Sequence, residues 1–310
     1  MNKGILLAAG LLAAAAAVGA DDYPVKELAA PDKAAIDQAI PAKAPAKPKK
    51  ARQVLIVHIT RRDGKPISGH PSVPYGNYAL IEMGKRTGAY HAVVNNDESV
   101  FRPENLKAYD AIIFNNTVGV LFDDPALRQS LLDFVKSGKG FVGFHGGSAA
   151  TFVQYPVYDQ FPEFGVMVGG YEDGGHPWTP ADTTSVKIDD PRSPLTAMFA
   201  GPFQVHDETF QLREPVLRDR LHVLLSIDTS KMEMGGRHRI LKQRQPDMDF
   251  PISWVKTYGK GRVFASTMGH APEVFQNAAV LQHFLAGVQF ALGDLKADDT
   301  PSLNSRNSSK

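Results

Sequence analysis

Four short stretches carry the side chains that could do chemistry: Phe144-His145-Gly146-Gly147-Ser148, His176-Pro177-Trp178, His206-Asp207-Glu208 and Gly269-His270-Ala271-Pro272-Glu273. Histidine titrates near neutral pH, so it can move a proton or, as the neutral imidazole, ligate a metal. A carboxylate beside it completes a general acid–base pair or a divalent-metal ligand set. If residues 204–212 form a strand, side chains alternate, placing His206 and Glu208 on one face and Asp207 on the other. A slip of one residue would exchange the two carboxylates. The expected catalytic set is therefore His145, Asp207, Glu208 and His270. The expected metal set is His145, His206, Glu208 and His270, around a divalent ion such as zinc.

Two other chemistries fail on context. Gly138, Gly140 and Gly143 have the spacing of a dinucleotide fingerprint, but that motif must follow a strand and open a helix. Here the glycines end a helix and enter a strand, so no nucleotide is expected. His145-Gly146-Gly147-Ser148 is similar to an esterase oxyanion loop, yet no G-x-S-x-G elbow occurs in the chain. Ser148 reads better as the cap of the helix after the corner. The chain has no cysteine, which removes disulfides, thiolate ligands and a thiol nucleophile.

These residues must be positioned by elements that the hydrophobic pattern predicts. Continuous β-branched or apolar runs at 53–60, 91–94, 110–115 and 140–144 predict strands covered on both faces. Between them lie helices near 77–87 and 125–137, the second with Asp124 as N-cap and Pro125 at its first position. Alternating strands and helices with short connections predict a mostly parallel sheet with helices on both faces, a flavodoxin-like three-layer α/β sandwich. Further strands are expected at 184–188, 204–212, 221–227, 252–258 and 262–266, and a closing helix at 277–292. In such a sheet ligands bind beyond the carboxyl ends of the strands, where His145 and His270 fall. His176 sits in a long loop, 169–180, that could cover the same mouth.

The remaining composition bounds the setting. A net charge of +1 on 310 residues gives no electrostatic argument for nucleic acid. Lys3, the apolar run 5–18 and Val18-Gly19-Ala20 predict a secretory signal peptide over 1–20, hence a secreted or periplasmic location. With that leader cleaved, no membrane span is expected. Residues 21–51, rich in Ala, Pro and Lys, are expected to be a disordered linker. The folded domain is expected over 52–294, followed by a polar tail, 295–310.

Taken in order, Gly140-Phe141-Val142-Gly143-Phe144-His145-Gly146, Gly169-Gly170 with His176-Pro177, Asp207-Glu208, Gly261-Arg262-Val263-Phe264, Gly269-His270 and Glu273 resemble the ThuA-like, or trehalose-utilisation, family. The resemblance implies a class I glutamine amidotransferase-like fold. In that fold the nucleophile elbow reads G-x-C-x-G, and Gly143-Phe144-His145-Gly146-Gly147 stands in its place, so glutamine amidotransfer is excluded. The resemblance further implies a sugar or keto-sugar ligand, a 3-keto-glycoside or disaccharide, and isomerisation, elimination or hydrolysis as the chemistry. The alternative is a non-catalytic sugar-binding domain in the cell envelope. The family's G-F-R-H after the first strand has its counterpart in His70, with intervening residues from Thr60 onward. The implied substrate-binding set is His70, Gly146, Gly147, His176, Trp178 and Glu273. Self-association into a homo-oligomer is left open.

Overall fold

Short apolar runs bounded by turns build the sheet. The computed structural model describes residues 23–154, 160–172, 176–179, 182–214, 217–234 and 240–303, so the expected signal peptide lies outside the described residues. In chain order the first elements are α1 (Ala30–Ala39), β1 (Gln53–Val57), β2 (Arg61–Arg62), β3 (Lys65–Pro66), α2 (Val73–Thr87), β4 (His91–Val94), α3 (Pro103–Leu106) and β5 (Ala111–Asn115). Then come α4 (Pro125–Lys136), β6 (Gly140–Phe144), α5 (Gly146–Ala149), α6 (Pro162–Val168), β7 (Thr183–Ile188) and β8 (Phe203–His206). The last are β9 (His222–Ile227), β10 (Pro251–Tyr258), β11 (Gly261–Ser266) and α7 (Ala278–Ala291).

Nine strands form one sheet in the order β4-β1-β5-β6-β11-β10-β9-β7-β8. From β4 to β11 every neighbouring pair is parallel. Beyond β11 the sheet continues as an antiparallel wing. The α/β class and the helices on both faces are as expected. Strand alternation divides the core: Val54 and Ile56 of β1 pack with Leu80 of α2 and Phe284 of α7, whereas Leu55 and Val57 pack with Leu131 of α4 and Phe164 of α6. β5 and β6 are buried at every position, which only strands covered on both faces achieve. Helix α4 starts where its cap dictates: the Asp124 carboxylate accepts the Ala126 N–H at 2.8 Å.

Two expectations are corrected here. The strand expected over 204–212 ends at His206, so the alternation argument does not reach Asp207 or Glu208. Residues 21–51 are not a disordered linker over their described part. Ile36, Ala39 and Ile40 recur at helical spacing and are buried in the same core as Ala79 and Met83 of α2. Burying two isoleucines there stabilises the helix by roughly 3 kcal/mol or more. The Pro/Lys stretch is tied down by polar bonds: Ala46 exchanges hydrogen bonds with the Gln289 side chain at 2.9 and 2.7 Å, and the Lys49 N–H donates to Asp294 at 3.0 Å. The start of the expected tail also docks, with the Val223 N–H donating to Ser302 Oγ at 2.9 Å.

One core histidine gives the fold a pH dependence. His283, fully buried, donates from Nδ1 to the Leu195 carbonyl at 2.6 Å and accepts at Nε2 from the Ser253 hydroxyl at 2.8 Å. Burial pushes its pKa down to about 4, from 6.5 in the unfolded chain. Above pH 6.5 both states are neutral and this stabilisation is fully present. As pH falls from 6.5 towards 4, only the unfolded chain takes up the proton, so stability drops by about 1 kcal/mol per pH unit. Urea unfolding across this window should show that slope, and His283→Gln, which carries a donor and an acceptor but does not titrate, should flatten it. An unchanged slope in the variant would refute the assignment.

Candidate active site

The site is built on the carboxyl ends of the parallel strands. β6 delivers His145 into a backbone corner with φ 48° and ψ −119°, in the left-handed half of conformational space that non-glycine residues rarely adopt. The glycines around it are there for space. A Cβ on Gly147 would stand 2.0 Å from the Phe114 carbonyl oxygen, and one on Gly143 would stand 2.4 Å from the Gly147 oxygen. Gly146 and Gly147, expected to bind substrate, therefore serve to let α5 turn back against β5. The Ser148 hydroxyl donates to the His145 carbonyl at 2.6 Å, closing this turn.

The imidazole of His145 is oriented from β11. Its Nδ1 lies 2.9 Å from the Thr267 carbonyl, which can only accept, so Nδ1 donates there and Nε2 faces the site. Two further histidines meet it there. His70, from the loop between β3 and α2, and His270, from the loop after β11, stand edge to face with it at centroid distances of 4.9 and 5.0 Å. His70 and His270 are themselves 5.0 Å apart. One ring nitrogen from each of the three lies within 4.8 Å of the others. Burial, and then the neighbouring His145, holds His70 and His270 below the ordinary imidazole pKa, down to about 3 for His70. Both are thus neutral imidazoles at physiological pH.

Glu208 faces this cluster. Its Oε1 is 3.5 Å from His145 Nε2, 3.9 Å from His270 Nε2 and 2.9 Å from His176 Nδ1. Burial works against its charge, but the His145 and His176 imidazoles outweigh that and hold its pKa well below the usual carboxylate range. His176, at the mouth, also reaches Glu172 at 3.4 Å. Burial opposes its protonation, yet the two carboxylates dominate and push its pKa up to about 10. Phe210 supplies an apolar wall, with its ring 5.2 Å from His145 and 5.7 Å from His176.

Four expected site residues are placed elsewhere. His206 is exposed and lies against Thr183 at 3.3 Å, outside the cluster; the ring nitrogens that come together are those of His70, His145 and His270. Asp207 is fully buried and accepts the Gly269 and Ala271 N–H groups, each at 2.7 Å, so it positions the loop of His270 and does not face the site. Burial pushes its pKa up to about 6. Trp178 is a core residue with no exposed surface, its ring against Phe250 at 5.0 Å. Glu273 is exposed in the turn before α7, on the side of Tyr75.

Three residues that sequence reasoning did not single out complete the arrangement. Ser72 Oγ and Asn116 Nδ2 both donate to the Gly269 carbonyl, at 2.8 and 3.2 Å, which fixes the residue preceding His270 from a second direction. Asn116 follows directly on β5 at a carboxyl end, and that was its legible signal. Glu172, 3% exposed, stands four positions before His176 in the same loop, a spacing that outside a helix carries no signal.

Known proteins share this architecture. The model of a family described as ThuA, trehalose utilisation, matches residues 53–291. Among solved structures, a ThuA-like protein from Bacteroides uniformis superposes with a TM-score of 0.62 at 21% identity, covering 84% of this chain and 99% of that one. A ThuA-like protein from Parabacteroides merdae superposes with a TM-score of 0.53 at 15% identity, covering 80% and 93%. At these identities the likeness is one of fold, and it agrees with the glutamine amidotransferase-like architecture. No curated protein matches the chain. No helix among the described residues is long and apolar enough to cross a membrane.

Proposed function

The chain belongs to the ThuA family, the family of trehalose utilisation, and from that premise we propose that it is an exported enzyme acting on a keto-glycoside or keto-disaccharide by histidine–carboxylate proton transfer. Family membership ties the chain to carbohydrate use. The observation that carries the catalytic part is the convergence of His70, His145, His270 and Glu208 on a strained elbow at the carboxyl ends of the parallel strands. Export rests on the leader-like segment 1–20.

The donor set fits a divalent cation. His70 Nδ1 is buried without a hydrogen-bond partner, and His145 Nε2 stands 3.5 Å from a Glu208 oxygen with its Nδ1 held by the Thr267 carbonyl. His70, His145 and His270 would hold such an ion, with the Thr267 carbonyl fixing the tautomer of His145 from behind. When bound, an ion of the zinc class polarises a ketone oxygen and acidifies the neighbouring C–H. Glu208 is the base: it is ionised at neutral pH, and Oε1 takes the proton from the carbon beside the ketone. His176 Nδ1, protonated and hydrogen bonded to that same oxygen, orients the carboxylate and offers a proton to the substrate oxygen that gains charge. Return of the proton to the adjacent carbon gives isomerisation, and departure of the glycosidic oxygen gives elimination.

A binding module without catalysis would leave the backbone strain at His145 without a purpose, since strain of this kind gathers at reacting centres. Purified protein incubated with 3-keto-disaccharides separates the readings. Product formation that chelation removes and zinc restores, together with a tetrahedral visible spectrum on loading with cobalt, is the expected result. Saccharide binding by calorimetry with no product, in the metal-loaded protein, would sink the catalytic reading.

A further inference from the structure

A cleft of ≈ 680 Å³ opens beside the histidine cluster, and the segment that precedes the ThuA domain forms one wall of it. Its size lies within the range of small-molecule sites. The wall is a strap anchored at both ends. Upstream, the Tyr23 ring is buried, its hydroxyl accepts from Arg61 Nε at 2.7 Å and its carbonyl accepts from His58 Nε2 at 3.2 Å. Downstream, α1 is set into the core through Ile36 and Ile40 and paired to α2 by Asp37 and Arg86 at 2.7 Å. Residues 24–29, between the anchors, face the loop of His70 across the cleft.

His70 belongs to both places: it lines the cleft, and its ring stands against His145 and His270. A ligand that fills the cleft therefore lies against the His70 ring, one of the three of the cluster. The cleft's chemistry narrows the ligand. Besides its histidines, its charged groups are Lys26, Glu27 and Asp32, and Glu27 is already paired with Lys33 at 2.9 Å. What remains is one cation and one carboxylate, a balance that attracts neither polyanions nor polycations. Asp32 lies near the hydroxyl of Tyr75, whose half-buried ring also lines the space. An aromatic face beside a carboxylate that accepts from vicinal hydroxyls suits a neutral polyhydroxylated ring.

We propose that this cleft is the subsite for the second, non-reacting ring of a neutral disaccharide, and that the strap makes the protein prefer disaccharides to monosaccharides. The proposal rests on the assignment of the histidine cluster as the reacting centre. Calorimetry with trehalose and with glucose tests it on the full chain. Trehalose should bind roughly tenfold tighter than glucose, and Tyr75→Ala and Asp32→Ala should each weaken trehalose roughly tenfold while leaving glucose unchanged. Hydrogen exchange on the unaltered protein gives a second readout that no folding defect can confound: trehalose should protect residues 24–32. Equal losses for the two sugars with no protection of the strap would overturn the subsite and leave the catalytic reading standing, provided 3-keto-disaccharides are still turned over. Tighter binding of a sugar phosphate than of trehalose would also overturn it. Neither binding of trehalose nor turnover of its keto form would overturn both.

Discussion

His145→Ala lowers turnover of a 3-keto-disaccharide by about a thousandfold or more, while the melting temperature moves by only a few degrees. The side chain has two jobs at two atoms. Nδ1 is spent on the Thr267 carbonyl, 2.9 Å away, and only Nε2 faces Glu208 and the other two rings. Alanine removes both, so the variant loses one of three ring donors and the imidazole that helps to keep Glu208 ionised. The structural loss is one hydrogen bond to a backbone carbonyl, about 1 kcal/mol. Steady-state kinetics and a cobalt titration, set beside a melting curve, check the prediction. Undiminished turnover in a folded variant would remove His145 from the chemistry.

The largest stability effect is expected next door, at Gly147. An alanine there places its Cβ 2.0 Å from the Phe114 oxygen and 2.7 Å from its carbonyl carbon. Both are backbone atoms of a strand buried at every position, so neither can yield by rotating a side chain. The elbow must back away from β5, which costs about 3 kcal/mol or more and lowers the melting temperature by roughly 10 °C. Gly64→Ala is the control. Gly64 has φ +72° and open space within 4 Å of where a methyl group would stand, so only the left-handed backbone resists the change, at about 1 kcal/mol. If Gly147→Ala melts no lower than Gly64→Ala, the close approach is not what holds the corner.

The parts of this arrangement that sequence could reveal are those governed by local chemistry. The elbow was legible because three glycines around a polar residue at a strand end have few other uses, and β5 and β6 because a strand buried on both faces is written as an unbroken apolar run. His70 was reached only through the family resemblance, as a substrate-binding residue, and the structure places it in the loop after β3 against His145 and His270. The His-Asp-Glu run shows where such inference stops. Period-two alternation requires a strand, and β8 ends at His206, so the next two side chains take directions set by the loop that returns to Gly269. Trp178 failed for a different reason: an aromatic ring suits a sugar and a core equally, and only burial decides between them. Composition misled at 21–51, because proline and lysine dominate the count while three apolar residues at helical spacing do the packing.

The segment that follows the strap bears on the order of assembly. Gln289 and Asp294, which hold Ala46, Lys49 and Arg52, lie more than 240 positions later in the chain, at separations of 243, 245 and 242. Residues 46–52 can make these ties only after α7 has been made and laid against the sheet, and contacts of such separation form late because loop closure precedes them. The strap's own anchors, Tyr23 on Arg61 and Asp37 on Arg86, are separated by only 38 and 49 positions and close much shorter loops. The wall of the cleft can therefore be set before residues 46–52 are tied down, and a chain cut short before α7 would keep those two contacts while losing the later ties.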